Sequence, residues 1–210
     1  MKTERSEVSE QANARVSERH AGAQTERVWQ ADTQQRVFRE LVEAFSRPGR
    51  VRDLADGLAG TAAQRAVLAT LMDGETTLAD PHARLGAADW PLLQARRAPT
   101  ETARYVVADG SRAPDFQPAP GTLESPESGA TLLIEVAAVG SGPLALELAG
   151  PGIDGRCELR LDGLHPDWLR RRADWVAGFP LGVDILLADA TRIVALPRTT
   201  RATSMGNPLT

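Results

Sequence analysis

Between residues 28 and 198 apolar side chains recur with two periods, and outside that span they become sparse. Val37, Phe38, Leu41, Val42 and Phe45 fall at helical spacing and predict a first helix that Pro48-Gly49 ends. Asp32 and Gln35, three residues apart, suggest a capping box at its start. A second helix is expected from Thr61, with Gln64 at the capping position. It buries Val67, Leu68, Leu71 and Met72 and stops at Gly74. A shorter one follows Asp89 through Trp90, Leu92 and Leu93. The last begins near Pro166, with Trp168, Trp175, Val176 and Phe179 on its inner face and Gly178 as its C-cap.

Strand patterns interleave with these helices. Tyr105–Val107 precedes Asp109-Gly110, and Thr131–Val136 is apolar enough to be covered on both faces. Leu144, Leu146 and Leu148 alternate with smaller or polar residues, as do Cys157, Leu159 and Leu161. Asp184–Ala188 and Arg192–Leu196 are separated by three residues, which is too few for a parallel crossover and predicts an antiparallel hairpin. The expectation is a single α/β domain over 28–198, a mixed β-sheet flanked by helices. Residues 1–27 read as a disordered tail, since Val8 and Val16 are the sizeable apolar residues there after Met1. Residues 199–210 read as a C-terminal tail.

Composition narrows the function by exclusion. The net charge of −4 argues against a nucleic-acid backbone binder. No run approaches 18 apolar residues and no secretory leader pattern opens the chain, so a cytoplasmic protein without a membrane span is expected. Lys2 is the sole lysine among 24 basic residues, leaving 23 arginines, so no internal amine is placed to form a Schiff base with pyridoxal phosphate. No cofactor is expected.

Candidate chemistry is thin. His20, His82 and His165 share no metal-ligand spacing, and Cys157, alternating with leucines, reads as a small packed residue. Gly140-Ser141-Gly142 and Gly150-Pro151-Gly152 read as turns rather than a phosphate-cradling loop. No nucleophile elbow or acid–base pair is recognisable, so no catalytic residue and no metal ligand is assigned. Arginines remain. Arg170, Arg171 and Arg172 read as a solvated helix face, whereas Arg47, Arg50 and Arg198 flank fixed turns and are the candidate anion-binding residues.

Five stretches occur in an order that resembles a known family. They are Phe38–Leu41 leading to Phe45-Ser46-Arg47-Pro48-Gly49; Gly121–Glu124 with Pro126 and Gly129–Leu133; Leu148–Ile153; Phe179–Asp184; and Ala195–Thr200. Together they resemble PhnH, the H subunit family of the bacterial carbon–phosphorus lyase core complex. The resemblance covers residues 30 to 200 and leaves out the acidic, arginine-rich N-terminal segment. It implies a role in phosphonate catabolism, a fold like that of pyridoxal-phosphate-dependent transferases without the cofactor, a homodimer in isolation, and G, I and J subunits as partners. It also implies a part, with G, I and L, in forming α-D-ribose 1-methylphosphonate 5-triphosphate from ATP and methylphosphonate. Within a multi-subunit enzyme of this kind, the chain is expected to be a non-catalytic assembly subunit. The alternatives are a subunit lending arginines to a nucleotide or phosphonate site, or a stand-alone small-molecule enzyme.

Overall fold

A computed structural model describes residues 27–206 apart from Ala59. Helix α1 spans Ala31–Ser46, α2 Ala55–Leu58, α3 Ala63–Leu71, α4 Asp89–Leu93 and α5 Asp167–Val176. The strands are β1 (Arg52–Asp53), β2 (Thr77–Ala79), β3 (Arg96–Arg97), β4 (Tyr105–Asp109) and β5 (Thr131–Glu135). They continue with β6 (Ala138–Ala149), β7 (Cys157–Asp162), β8 (Asp184–Ala188), β9 (Arg192–Leu196) and β10 (Arg201–Ser204). Seven strands form a mixed sheet in the order β1-β9-β8-β5-β4-β2-β3. Within it β3, β2, β4, β5 and β8 run parallel, and the hairpin β8–β9 and the pair β1–β9 are antiparallel. The α/β class, the mixed sheet and the hairpin are as expected. A second sheet, β10-β6-β7, is antiparallel and was not foreseen.

Strand periodicity sorts the core into two halves. Val107, Leu133, Leu186, Ala188, Ile193 and Ala195 point to one face, where α1, α3 and α4 cover them with Val37, Leu41, Val67 and Leu68. The intervening Val106, Leu132, Ile134, Ile185, Leu187 and Val194 point to the other. There β6 and β7 meet them with Leu146, Leu148, Leu159 and Leu161, beside Trp168 and Trp175 of α5. The molecule is layered as helices, mixed sheet, then small sheet with α5. That layering explains why β5 is apolar on both faces.

Several sequence expectations need correction. The N-cap of α1 is Gln30 and makes no side-chain cap bond, so Asp32 and Gln35 form no capping box. Thr61 likewise does not cap α3, which starts at Ala63 with Gln64 buried inside it. On α1, Val37 and Leu41 are buried while Phe38 and Val42 are 52% and 49% exposed, so the apolar stripe is wider than the core it meets. Helix α5 ends at Val176, and the turn that follows carries Phe179 to the surface at 66% exposure instead of onto the inner face. Gly140 and Gly142 lie within β6 at a register shift between Val139 and Leu144, a bulge rather than a turn. The tail expected from residue 199 begins as structure, because Arg201–Ser204 pairs antiparallel with Leu146–Ala149. The tail expected over 1–27 lies, except for Arg27, outside the described residues. Among the described residues no helix is long and apolar enough to cross a membrane.

Candidate functional site

Three of the five sequence stretches converge on two arginines. Asp184 opens β8 and Arg198 follows β9, so the hairpin brings them side by side. The Arg198 amide donates to Asp184 Oδ1 at 2.7 Å and its Nη2 to Oδ2 at 2.7 Å. Its Nη1 donates to the Pro126 carbonyl at 2.7 Å and more loosely to that of Pro180 at 3.4 Å. Gly129 lies beneath this fork, and a Cβ there would run into the Gly182 carbonyl and sit 3.0 Å from Arg198 Nη1. Three of the stretches are thus tied by one guanidinium. Arg172 of α5 ties in the last, donating from Nη2 to the carbonyls of Pro197 and Thr200, both at 2.8 Å. Arg172 is 5% exposed, which corrects its placement on a solvated face. Burial pushes its guanidinium below the usual arginine value, with Asp184 offsetting part of the effect. Arg170 stays exposed and pairs with Asp167, whereas Arg171 is half-buried and lies over the Trp175 ring.

Arg47 and Arg50 sit elsewhere. The turn between them has Gly49 at φ +82°, and a Cβ there would meet both Cys157 Sγ and Leu148 Cδ1 at 2.7 Å. The turn is therefore seated against β6 and β7. Arg47 pairs with Glu43 at 3.3 Å on α1, and Arg52 donates to Glu40 at 2.6 Å. Arg50 is exposed and has no ion pair among the described residues. Cys157 is half-buried; burial pushes its thiol up, and Arg50 offsets only part of that. The structure shows no contact joining Arg198 to Arg47 or Arg50 among the described residues, and the Arg198 fork is directed at protein acceptors.

His82, in the turn that follows β2, presents a fully buried ring at the C-terminal edge of the parallel strands. Its Nδ1 accepts from the Asp109 amide at 3.0 Å, which places the proton on Nε2, 3.2 Å from Asp115 Oδ1. That hydrogen bond lowers the Asp115 carboxyl below its ordinary value. The ring packs edge-on against Phe116 and Trp168. With both nitrogens engaged, it has no free lone pair with which to act as a general base. Sequence offered no signal for this, because Asp109 and Asp115 approach only through the sheet. Among the described residues no cluster of three or more His, Cys, Asp or Glu is arranged to hold a metal.

What faces outward is apolar. Phe38, Leu41, Val42 and Phe45 of α1, with Leu71 and Tyr105, line a surface groove of about 380 Å³. Large exposed apolar patches mark interaction surfaces more often than they occur by chance. The tryptophans do not build this face: Trp168 and Trp175 are core, and Trp29 and Trp90 are half-buried against it.

Comparison with known proteins gives a consistent result. The profile of a family described as bacterial phosphonate metabolism protein (PhnH) matches residues 26–203. A putative C-P lyase subunit protein, HtxG, from Stutzerimonas stutzeri is 45% identical over 180 residues, covering 86% of this chain and 91% of that protein. The PhnH subunit of alpha-D-ribose 1-methylphosphonate 5-triphosphate synthase from Rhizobium meliloti (strain 1021) is 33% identical over 196 residues, covering 88% and 96%.

Proposed function

The chain belongs to the PhnH family of bacterial phosphonate metabolism proteins, and from that premise we propose that it is the H-type subunit of a carbon–phosphorus lyase system. In this reading it supports formation of α-D-ribose 1-methylphosphonate 5-triphosphate from ATP and methylphosphonate as a non-catalytic assembly subunit. The observation that carries it is coverage: both relatives bear subunit names and match this chain over nearly their whole lengths. The assembly role draws support from three of the family-resembling stretches, whose polar groups are spent on holding the fold through Arg198 and Arg172. G, I and J partners, self-pairing in their absence and a cytoplasmic setting belong to the same proposal. The groove around Phe38 and Val42 is the surface it assigns to partner contact. A specific contact there should bury at least about 1,000 Å² in total.

From the family resemblance alone we also propose a transferase-like scaffold that works without pyridoxal phosphate. The sole lysine, Lys2, fits the lack of that cofactor. The reading in which Arg47, Arg50 and Arg198 together bind an anion has less support, since Arg198 is committed to Asp184 and two carbonyls. Reconstituted turnover of ATP and methylphosphonate by the G, I and L subunits separates the two. Omitting this chain should abolish product, while Arg47→Ala with Arg50→Ala should keep the rate within about twofold. A loss of more than about tenfold in that double variant, in a folded protein, would favour the arginine site.

A further inference from the structure

A second cavity, of about 160 Å³, lies on the helix side of the mixed sheet, away from the surface groove. Its wall includes Trp29, Ala62, Gln64, Arg65, Arg84 and Asp89, with leucines completing it. Two side-chain donors in that wall are buried with nothing to bond: Gln64 Nε2, in a residue 8% exposed, and Trp29 Nε1. Buried donors without acceptors are uncommon in folded proteins and ask for a partner. The same wall holds the start of α3, whose N-cap Ala62 offers no side-chain cap. The Ala63 amide donates to the Ala190 carbonyl, but the Gln64 and Arg65 amides have no protein acceptor among the described residues. Arg65 and Arg84 stand at the rim, 36% and 32% exposed, paired with Asp89 and Glu135 at 2.5 Å each. Asp89 is the one carboxylate in the wall, and Arg65 and the Gly86 amide already occupy its oxygens.

We infer that this cavity binds a small oxyanion, a phosphonate, phosphate or carboxylate group, held by the Gln64 amide, the Trp29 indole N–H and the first turn of α3. Every unsatisfied group named in the wall is a donor, and the free amides at the start of α3 add the positive end of its dipole, so the matching ligand is an acceptor carrying negative charge. The volume admits a group of methylphosphonate size. This inference does not depend on the chain's place in a complex.

The indole region of a nitrogen-15 correlation spectrum reads the site directly. The full chain has four tryptophans, and Trp29→Phe identifies one peak. Trp168 Nε1 and Trp175 Nε1 already donate to the Arg112 carbonyl and to Gln117, so they serve as internal controls. Methylphosphonate, phosphate and acetate, titrated separately at constant ionic strength, should include at least one that moves the Trp29 peak saturably with a midpoint below about 10 mM. Which of the three does so identifies the source of the oxyanion. Gln64→Leu should weaken that midpoint at least about tenfold. Gln64→Glu, which sets a carboxylate among the donors, should do the same if the leucine variant fails to fold. No shift up to about 50 mM, as expected of a cavity holding solvent alone, would overturn the inference. So would a linear shift shared by all four indoles, or an unchanged midpoint in a folded Gln64 variant.

Discussion

Arg198 and Asp189 show how single side chains hold this fold. Replacing Arg198 by Ala leaves Asp184 without its partner and the Pro126 carbonyl without its donor. The expected cost is about 2–4 kcal/mol, read as a lower urea midpoint. Arg198→Lys should recover little of it, because an ammonium cannot span a carboxylate and a carbonyl as the planar fork does. Asp189 is 5% exposed at the β8–β9 turn and accepts from the amides of Val139, Thr191 and Arg192 and from the Arg192 guanidinium. Burial pushes its carboxyl up, but those donors outweigh it and hold the acid below its ordinary 3.8. A carboxyl lowered on folding stabilises at pH values above its unfolded pKa, and that stability is lost as pH falls through the folded value. Unfolding free energy should therefore decline from about pH 5 toward pH 2, and Asp189→Asn should be less stable at neutral pH with a shallower acid limb. Parallel acid limbs in denaturant titrations of the two proteins would contradict this assignment.

Helix α1 carries two apolar faces with different consequences. Leu41, 4% exposed against the sheet, should cost about 2–5 kcal/mol when cut to Ala, whereas Phe38→Ala should stay within about 0.5 kcal/mol. Equal costs in thermal unfolding would mean that the outward groove is part of the core. Sequence periodicity located this helix but not the division of its face, since Phe38 and Leu41 look alike until the sheet's width is known. The β8–β9 hairpin was legible because three intervening residues permit a single connection. Two- and three-residue strands such as β1, β2 and β3 were not, being too short to show alternation. The Arg201–Ser204 strand was missed because its pattern is polar, and only the edge of β6 makes it a strand. Ending the chain at Thr200 should accordingly lower the melting temperature by several degrees. The Pro48-Gly49 stop was legible; Gly49 takes a left-handed φ of +82°, and Gly49→Val should cost about 1–3 kcal/mol through that φ and the collision with Leu148 and Cys157.

At the scale of the molecule, the residues that make the family recognisable are mostly ones that close the structure. A single sequence singles out arginines but cannot distinguish one that faces carbonyls from one that faces a ligand. Arg172 and Arg198 are of the first kind, and the unsatisfied donors of Gln64 and Trp29 carried no motif at all. In the function proposed above, the chain acts by joining an assembly through its exposed apolar face. Size-exclusion chromatography with light scattering, on an assembly of G, I and J subunits mixed with this chain, tests it most directly. The wild-type chain should co-elute in fixed stoichiometry. A Phe38→Asp, Val42→Asp variant with an unchanged melting temperature should elute alone. Wild-type protein that stays apart from the complete G, I and J assembly at micromolar concentration would contradict the account.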